Sequence, residues 1–590
     1  GANLMTFFHL VAYFEKIEAT SKRLEMFAIL SDLFKEAETS EIAQIIYLLK
    51  GELLPAFHAI NIGMAEKYLL RAIAHAFQVD TDTLLKQHQI NGDIGKTTEG
   101  SSLSQPRWGA CKDKEGAGIT VGAVYETIYE MANISGEGSV DRKIDAVSLL
   151  LSSLSPIEAK YATRFIAGTL RLGAGDATIL EALALSSGDR AFRPSLDRAY
   201  SRISDLGLLA KIYREEGAAG VLAISVQHGY PIRSALCERL PSSEEIIEKI
   251  GRCSVEIKYD GFRCQAHKKG NEVILFSRNQ ERTTPMFPEI VNALHDVFSD
   301  NNIILEGEAL AVNEVTGEAF PFQVTMQRKR KHGIALLSKE VPLRFFVFDL
   351  LYLNGEDFTV RPYRERRKKL IELIPDKHPV VEVSKAVETD SPKEVTDFFN
   401  DVVEQGYEGI VAKRLESLYT AGSRNFNWIK LKRSYKGEIT DTLDLCIVGY
   451  FFGKGARTRL GIGTILAAVY DKEQERFKTI SKIGTGFSEA ELQTLKSLLD
   501  PITLSEKPHE LDAKIIPDVW VLPKYVVTVT ADEITQSRTH TANWGAGGIG
   551  LSLRFPRVTG FIRDDKGPED ATTTAEIATL FHQQKRIQME

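Results

Sequence analysis

The chain has 590 residues, of which 43% are hydrophobic and 26% charged, and its net charge is −7. This length predicts several domains, and the composition is that of an ordinary soluble globular protein. The absence of a long apolar run and of a signal sequence predicts a cytoplasmic protein without a membrane partner, and the acidic total excludes a histone-like coat protein but not a local basic surface.

Residues 1–225 are predicted to be helical, because apolar residues recur at helical spacing in 7–17 and 24–34. The segment 92–118 is rich in Gly, Ser, Thr and Lys, which predicts a long surface loop.

This region contains an internal repeat. Residues 62–73 align without a gap with residues 172–183, at an offset of 110 positions. Each copy predicts a helix, a glycine-containing turn and a second helix. Two related halves of one domain would explain the similarity, and so would chance resemblance between amphipathic helix pairs. Free backbone N–H groups at such helix N-termini would suit phosphate contact.

From about residue 254 the pattern changes to short strands with intervening helices, which is typical of an α+β domain. The predicted strands are 272–277, 303–311, 343–353 and 408–413, and the predicted helices are 285–298 and 364–373. After about residue 436 the chain is mainly strand and turn, which predicts a small β-barrel. Its clearest strands are 445–452, 464–470 and 525–531.

Strand period places Glu256, Lys258 and Asp260 on one face of the first strand of the α+β region. Such a set is usually a solvated charged edge, but Gly261 permits close backbone approach and Arg263 adds a cation. A lysine nucleophile must lose its proton, and neighbouring carboxylates oppose that loss. The carboxylates are consistent with this role if they bind substrate groups or a metal ion.

The stretch from Lys258 to Arg263 matches K-x-D-G-x-R, the signature of covalent nucleotidyltransferases, which include DNA ligases and RNA-capping enzymes. The other motifs of this superfamily follow in order: Ser277-Arg278-Asn279, Glu306-Gly307-Glu308, Phe345 to Leu350, Asn354-Gly355, Arg361 to Arg367, Glu408 to Lys413, Trp428 to Lys432 and Arg563 to Lys566. The chain therefore resembles an ATP-dependent DNA ligase over its whole length. Gly92 to Gly95, and Phe322-Gln323 with Arg328 to Lys331, resemble the archaeal branch in particular.

The resemblance implies a multi-domain fold. An all-α DNA-binding domain would span 1–225, an α+β nucleotidyltransferase (adenylation) domain 226–436, and a β-barrel OB-fold domain with a C-terminal helix 437–590. Arg171-Leu172-Gly173 and the helix after it resemble the DNA-binding domain of cellular and archaeal ligases.

The implied reaction has three steps. The Lys258 amine attacks the α-phosphate of ATP and releases pyrophosphate, the AMP passes to the 5′-phosphate at a nick, and the 3′-hydroxyl then seals the strand and expels AMP. Positioning and electrostatic stabilisation should carry most of this catalysis. The implied cofactors are ATP and Mg²⁺, with Mn²⁺ as an alternative metal.

By the same resemblance, Glu256 is expected near the adenine and Phe348 stacked on it. Core packing is the alternative for Phe348, because the residues before it form a buried-strand run. Arg263 and Arg278 are expected to contact ribose and phosphates.

Two glutamates are the candidate metal ligands. Glu308 would hold the ribose or a metal, and Glu408 is the better ligand, since Mg²⁺ prefers carboxylate oxygen. Lys430 and Lys432 share one face of a strand and suit the α-phosphate in transfer. Arg424 matches a nucleotide contact of the family.

Arg563, Asp565 and Lys566 are expected to orient the leaving pyrophosphate when the barrel closes over the site, before the barrel turns away to hold DNA. Three basic runs are predicted to contact DNA phosphates without regard to sequence, although parts of 364–369 could be a solvated helix face. These runs are 328–332, 361–369 and 430–436.

An RNA ligase or a capping-type guanylyltransferase shares the lysine motif, but neither needs the helical region upstream. An NAD-dependent ligase is disfavoured because the five scattered cysteines give no four-cysteine zinc spacing. The intact set of Lys258, Glu408, Lys430 and Arg563 argues against a non-catalytic nick-binding protein.

The expected partner is nicked duplex DNA, with a sliding clamp as a further candidate. The expected state is a monomer in the archaeal cytosol, associated with the nucleoid, with roles in DNA replication, repair and recombination.

Overall fold

A computed structural model describes residues 3–109, 114–330, 332–432 and 442–589, with side chains described to residue 584. Residues 3–225, here called the helical domain, pack around one continuous hydrophobic core, as predicted. Their helices are α1 (Phe7–Glu18), α2 (Arg23–Glu36), α3 (Ile42–Lys50), α4 (Glu66–Phe77), α5 (Thr81–Asn91), α6 (Ile94–Leu103), α7 (Val121–Ala132), α8 (Ser139–Ser152), α9 (Pro156–Ala167), α10 (Asp176–Ser186), α11 (Arg193–Ile203) and α12 (Leu206–Leu222).

The prediction of a surface loop over 92–118 is wrong for the part that forms α6. Asp93 caps this helix by accepting a hydrogen bond from the Gly95 backbone N–H at 2.8 Å, and it also pairs with Arg164 of α9 at 2.7 Å. A Cβ on Gly95 would lie 2.4 Å from the Arg164 side chain. The small residues that suggested a loop instead allow two helices to pack closely.

The internal repeat is present in part. Gly63 and Gly173 both have positive φ, at 61° and 74°, and each lies three residues before a helix, α4 or α10. The helix predicted ahead of the first turn is absent, since the described residues 51–65 contain only the short 3-10 helix Ala56–His58. The shared unit is therefore a glycine turn followed by a helix.

The central domain, residues 226–432, contains two sheets. Its strands are β1 (Leu236–Arg239), β2 (Cys253–Lys258), β3 (Phe262–Lys269), β4 (Glu272–Phe276), β5 (Ile303–Ala311), β6 (Leu343–Leu353), β7 (Glu356–Asp357), β8 (Val381–Val383), β9 (Ala386–Thr389), β10 (Gly409–Arg414) and β11 (Arg424–Lys432). Its helices are α13 (Ser243–Ile250), α14 (Pro288–Val297), α15 (Phe322–Met326), α16 (Ile334–Glu340), α17 (Tyr363–Leu373) and α18 (Pro392–Glu404).

The two sheets meet where β2 ends and β3 begins. One sheet has the order β1-β11-β10-β2-β9, and the other has the order β4-β3-β5-β6-β7, with β8 also paired to β6. Gly261 lies at this crossing, and a Cβ there would be 2.3 Å from the backbone oxygen of Ala309. Only glycine lets the chain pass from one sheet to the other at this distance.

The C-terminal domain, residues 442–589, is rich in strands, as predicted. These are β12 (Leu443–Phe451), β13 (Thr464–Asp471), β14 (Arg476–Ile483), β15 (Thr503–Leu504), β16 (Leu511–Asp512), β17 (Val519–Val521), β18 (Val526–Thr530), β19 (Glu533–Ser537), β20 (Gly550–Arg554) and β21 (Arg557–Ile562). The main sheet has the order β15-β17-β12-β13-β14-β16, and β18 joins β12 to β21. The helices are α19 (Glu489–Leu499) and the terminal α20 (Thr574–Met589).

Two arginines in the predicted DNA-contacting runs are internal, so that prediction is wrong for them. Arg328 is buried and pairs with Glu289 at 2.5 and 2.8 Å. Arg366 is buried and pairs with Asp349 at 2.7 and 3.1 Å. Each guanidinium neutralises a carboxylate inside the domain and is not available to DNA. The parts of these runs that lie outside the described residues are 331 and 433–436.

None of the helices in the described parts of the chain is long and apolar enough to span a membrane.

Candidate active site

A cleft of about 1300 Å³, measured with its open mouth, lies between the central and C-terminal domains. The structure brings every residue predicted for the site to the walls of this cleft. They are Glu256, Lys258, Arg263, Arg278, Glu308, Phe348, Glu408, Arg424, Lys430, Lys432, Arg563, Asp565 and Lys566.

Lys258 is the last residue of β2 and pairs with Gly409 of β10. Its Nζ lies 3.5 Å from Oε2 of Glu408, and the Nζ of Lys432 lies 3.6 Å from the same oxygen. A Cβ at Gly409 would lie 2.0 Å from the backbone oxygen of Leu431, so glycine is needed for β10 to approach β11. The strand register thus places one carboxylate between two lysines.

Two more carboxylates stand beside Lys258. Burial, reinforced by Glu408, raises the pKa of Asp260 to about 6. Burial also raises the pKa of Glu308 to about 7, against the opposing effect of Lys258 and Arg263. Glu308 accepts a hydrogen bond from the Gly261 backbone N–H at 3.1 Å. Crowded, partly desolvated carboxylates of this kind would be stabilised by a cation.

The donor set fits a divalent metal only in part. Among the described residues, no group of three or more His, Cys, Asp or Glu side chains converges well enough to hold a metal ion. Mg²⁺ is commonly held by one or two carboxylates together with substrate phosphates and waters. Glu408, which is half-buried at the cleft, and Glu308 supply carboxylate oxygen of that kind.

Glu256 is buried beneath the cleft at 1% exposure and is surrounded by donors. Its carboxylate accepts hydrogen bonds from Ser254 and Ser384, both at 2.9 Å, from Tyr363, and from Lys413 at 3.1 Å. Burial acts to raise the pKa of Glu256, but the positive charges of Lys413 and Arg367 and the hydrogen bonds to the carboxylate together outweigh it and hold that pKa below its usual value. The carboxylate is therefore ionised and fixed in orientation.

An aromatic wall stands next to this carboxylate. Phe348 lines the cleft and also packs, partly buried, against the hydrophobic cluster that contains Leu351 and Trp428. The Lys413 Nζ lies 4.6 Å from the centre of its ring, and the Trp428 ring meets it edge-on at 5.9 Å. Arg263 lies over the Phe348 ring at 5.4 Å and is held by Glu306 at 3.2 Å.

The C-terminal domain covers the cleft with a short turn after β21. Arg563 makes two hydrogen bonds of 2.9 Å to Asp565, and Lys566 pairs with Asp444. Burial lowers the pKa of Lys566, although Asp444 acts in the opposite direction. The Arg563 guanidinium lies 4.5 Å from the ring centre of Phe322, which belongs to the central domain. The domains are thus closed over the site.

Sequence reasoning missed several residues of the cleft. Glu576 of α20 pairs with Arg239 of β1 and, at 3.5 Å, with Arg424 of β11. Burial acts to raise the pKa of Glu576, but Arg239 and Arg424 outweigh it and lower that pKa to about 2. No sequence pattern signals this carboxylate, because its partners lie far away in the chain.

Lys413 and Asp444 were also missed. Lys413 ends a motif that was recognised, and its position in that motif could have signalled its role. Asp444, which pairs with Lys566, lies at the start of β12 and carries no comparable signal.

Three family models match the chain. "DNA ligase N terminus" matches residues 6–184, "ATP dependent DNA ligase domain" matches 234–432, and "ATP dependent DNA ligase C terminal region" matches 458–566.

The chain is also similar to named relatives over nearly their full length. It is 49% identical to a protein of Dictyoglomus turgidum named "Probable DNA ligase", over 99% of both chains. It is 41% identical to a DNA ligase of Sulfurisphaera tokodaii, over 99% of this chain and 98% of the relative. It is 40% identical to a DNA ligase of Aeropyrum pernix, over 97% of both chains. The chain therefore belongs to the family of ATP-dependent DNA ligases.

Proposed function

We propose that this chain seals nicks in duplex DNA by ATP-dependent phosphodiester formation, with Lys258 as the residue that carries AMP. The observation that carries this proposal is the convergence on one cleft of Lys258, the strand cations of β11 and the Arg563–Lys566 turn of another domain. A non-catalytic nick-binding protein would not need this arrangement, and family membership supports the DNA ligase reaction over capping or RNA joining.

In the first step the Lys258 amine attacks the α-phosphate of ATP. A nitrogen–phosphorus bond forms, the bond to pyrophosphate breaks and the amine proton passes to solvent. The Lys258 Nζ lies 3.5 Å from Oε2 of Glu408, so this carboxylate positions the amine at the cleft wall beside the place we assign to the α-phosphate. Bound Mg²⁺ or Mn²⁺ would neutralise phosphate charge, with Glu408 and Glu308 as the residues that would hold it.

The floor of the cleft orients the nucleotide. We assign the adenine to the aromatic wall at Phe348, beside the fixed carboxylate of Glu256. Arg263, Arg278 and Arg424 are assigned to ribose and phosphate contacts. Arg263 and Arg424 are already held by protein acceptors, Glu306 and the Cys237 backbone oxygen at 2.6 Å, which fixes their positions before ATP binds.

Cations of two domains are assigned to the negative charge of the ATP phosphates. Lys430 and Lys432 project from β11 toward the α-phosphate that is transferred, and Arg563 and Lys566 reach the departing pyrophosphate from the C-terminal domain. Asp565 orients Arg563 through two hydrogen bonds. Such preorganised cations stabilise the charge that develops in the transition state.

The proposed domains are a DNA-binding domain over 1–225, an adenylation domain over 226–436 and an OB-fold barrel over 437–590. The end of α12 at Leu222 and the presence of Val226 in the same hydrophobic cluster as Leu351 of the central domain support the first boundary. A core enclosed by the C-terminal sheet and α20 supports the barrel. Clamp binding, a monomeric state and association with the nucleoid stay predictions from the resemblance.

The experiment is transfer of label from α-labelled ATP, GTP or NAD to the protein in the presence of Mg²⁺. Label should come from ATP, be absent in Lys258→Ala and remain in the control Lys269→Ala, which changes an exposed lysine of β3. Nicked duplex DNA should then discharge the label. Label from GTP, or equal label in Lys258→Ala, would contradict the proposal.

A further inference from the structure

Lys413 is a buried lysine on the floor of the cleft, and strand register explains which carboxylate it meets. It lies on β10 opposite Ser254 of β2, and Glu256 follows two residues later on the same face of β2. The Lys413 Nζ lies 3.1 Å from Oε1 of Glu256 and donates to the backbone oxygen of Phe348 at 3.4 Å. A long side chain thus reaches the carboxylate that lies diagonally across from it.

Three aromatic rings stand close to the Lys413 ammonium. The distances from its Nζ to the ring centres are 4.4 Å for Trp428, 4.6 Å for Phe348 and 5.0 Å for Tyr363. The faces of aromatic rings attract a cation, and they replace water around it. Burying a charge costs free energy unless the charge is paired, so the ammonium and the Glu256 carboxylate depend on each other. Both side chains line the cleft.

The charge of Lys413 acts on the protonation of Glu256. Burial acts to raise the pKa of this carboxyl group, and Lys413 is the largest of the effects that lower it. A substitution that removes the Lys413 charge should therefore raise the pKa of Glu256. The titratable and charged groups that face Glu256 are Tyr259 at the end of its own strand, Lys413 of β10, and Tyr363 and Arg367 of α17, the last at 3.8 Å.

The protonation of a carboxyl group decides which purine it can bind. An ionised carboxylate only accepts hydrogen bonds, whereas a protonated carboxyl group also donates one. Adenine carries an exocyclic amino group, which donates, at the ring position where hypoxanthine and guanine carry a carbonyl oxygen, which accepts. A carboxylate that faces this position would bind adenine and repel the other two bases, because their carbonyl oxygen would find no donor there. A neutral carboxyl group would bind all three.

We propose that Lys413 sets the choice of base: its positive charge keeps Glu256 ionised, so that the carboxylate accepts from the exocyclic amino group of adenine and repels the carbonyl oxygen of hypoxanthine or guanine. Lys413 is then a positioning residue that acts on the base through Glu256. The inference rests on the proposed function, because it takes the base to lie at Phe348 beside Glu256. The hydroxyl donors around Glu256 can share its lone pairs with the amino group of adenine, whereas a carbonyl oxygen brings no hydrogen to share.

The first test measures transfer of label to the full chain from ATP, ITP and GTP, each labelled at the α-phosphate. Lys413→Met keeps an unbranched side chain and removes its charge. The ratio of kcat/KM for ATP to kcat/KM for ITP should fall about tenfold or more, because the carboxyl group can then take up a proton and donate it to the carbonyl oxygen. Lys269→Met, at an exposed lysine of β3, is the matched control. An unchanged ratio in Lys413→Met, or a gain with GTP but not with ITP, overturns the inference.

A pH series separates this role from a purely structural one. In Lys413→Met the labelling by ITP relative to ATP should rise as the pH falls from about 8 to about 6. The rise should approach about tenfold per pH unit, because the neutral fraction of a carboxyl group above its pKa grows by that factor. In the wild type the relative labelling should stay constant, since the groups around Glu256 hold its pKa below the usual value. The same pH dependence in both proteins overturns the inference.

A second variant keeps the inference testable if Lys413→Met does not fold. Glu256→Gln places an amide beside the base, which both donates and accepts and does not titrate in this range. Its labelling by ITP relative to ATP should exceed that of the wild type by about tenfold and should not change with pH. Rejection of ITP as strong as in the wild type would show that Glu256 does not select the base, and would overturn the inference.

These outcomes are distinct from failure of the proposed function. A wild-type chain that takes no label from ATP, or that does not seal a nick, contradicts the function itself. A wild-type chain that takes label from ATP and seals nicks, while both variants keep its choice of base, contradicts only the role of Lys413.

Discussion

The floor of the cleft belongs to the central domain and its roof to the C-terminal domain, and the two hold their charged side chains differently. On the floor, Glu256 accepts hydrogen bonds from four side chains of its own domain. On the roof, Arg563 is held by Asp565 and Lys566 by Asp444, again within one domain. Each half therefore keeps its geometry without the other.

Ion pairs and a contact between a cation and a ring join floor and roof. Glu576 pairs with Arg239 and Arg424, and Arg563 lies over the ring of Phe322. A roof that is internally organised can leave the floor intact when it moves away. The position of the roof can then determine which step of the reaction occurs, while the residues of the floor take part in every step.

The largest expected effect separates roof from floor. Arg563→Ala should slow lysine adenylation on the order of 10²–10³-fold, because it removes a preorganised cation from the pyrophosphate side. Sealing of a pre-adenylated nick should change little, since pyrophosphate has already left. Rapid-quench assays of the two steps measure the contrast, and an equal loss in both would mean that roof and floor act as one unit.

The next effect tests the floor. Glu256→Gln leaves Lys413, at 3% exposure, without its carboxylate partner, and loss of one member of a buried pair costs about 3 kcal/mol or more. Both adenylation and final sealing should fall, together with the thermal unfolding midpoint. Glu365→Gln on the exposed face of α17 is the control. Loss of adenylation alone would assign Glu256 to the first step and weaken the comparison.

A smaller change probes the same network. Tyr363→Phe removes one hydroxyl that donates to Glu256 while the other donors remain. The expected loss of stability is about 1 kcal/mol, as for a single buried hydrogen bond, with a modest and equal effect on both steps. Thermal unfolding and the two step assays provide the measurement, and a loss as large as that of Glu256→Gln would show that Tyr363 alone holds the carboxylate.

The last expected effect is on the pH dependence of stability. The pKa of Glu308 is raised from 4.5 to about 7, so the folded protein holds this proton more tightly than the unfolded chain does. Its contribution to stability is full below pH 4.5 and is lost as pH rises through 7. Relative to Glu308→Gln, the wild type should lose stability across that window. The measurement is the thermal unfolding midpoint of each protein as a function of pH. Midpoints that change with pH in the same way for both proteins would refute this prediction.

The local sequence pattern was enough to predict much of the secondary structure of the central domain. The strands 303–311 and 343–353 have the predicted bounds. Alternation of apolar and polar residues and apolar runs are local features, so they can be recognised in consecutive residues. The site residues were found through the resemblance, and their motifs fix residue types at short spacing. The sequence pattern gave the wrong prediction at α6. There the Asp93 cap and its ion pair with Arg164 stabilise a helix, although the composition is typical of a loop.

Contacts between distant residues decided what the sequence left open. The sequence by itself determined the motif residues that meet in the cleft, the strand period of β2 and the helical character of the first domain. Only the tertiary structure decided that Arg366 is internal, that Glu256 is held by four donors, and that Glu576 and Glu475 join domains. Thr178 and Glu475, a donor and its carboxylate partner, are more than 290 positions apart, and burial of such a pair depends on how whole domains pack.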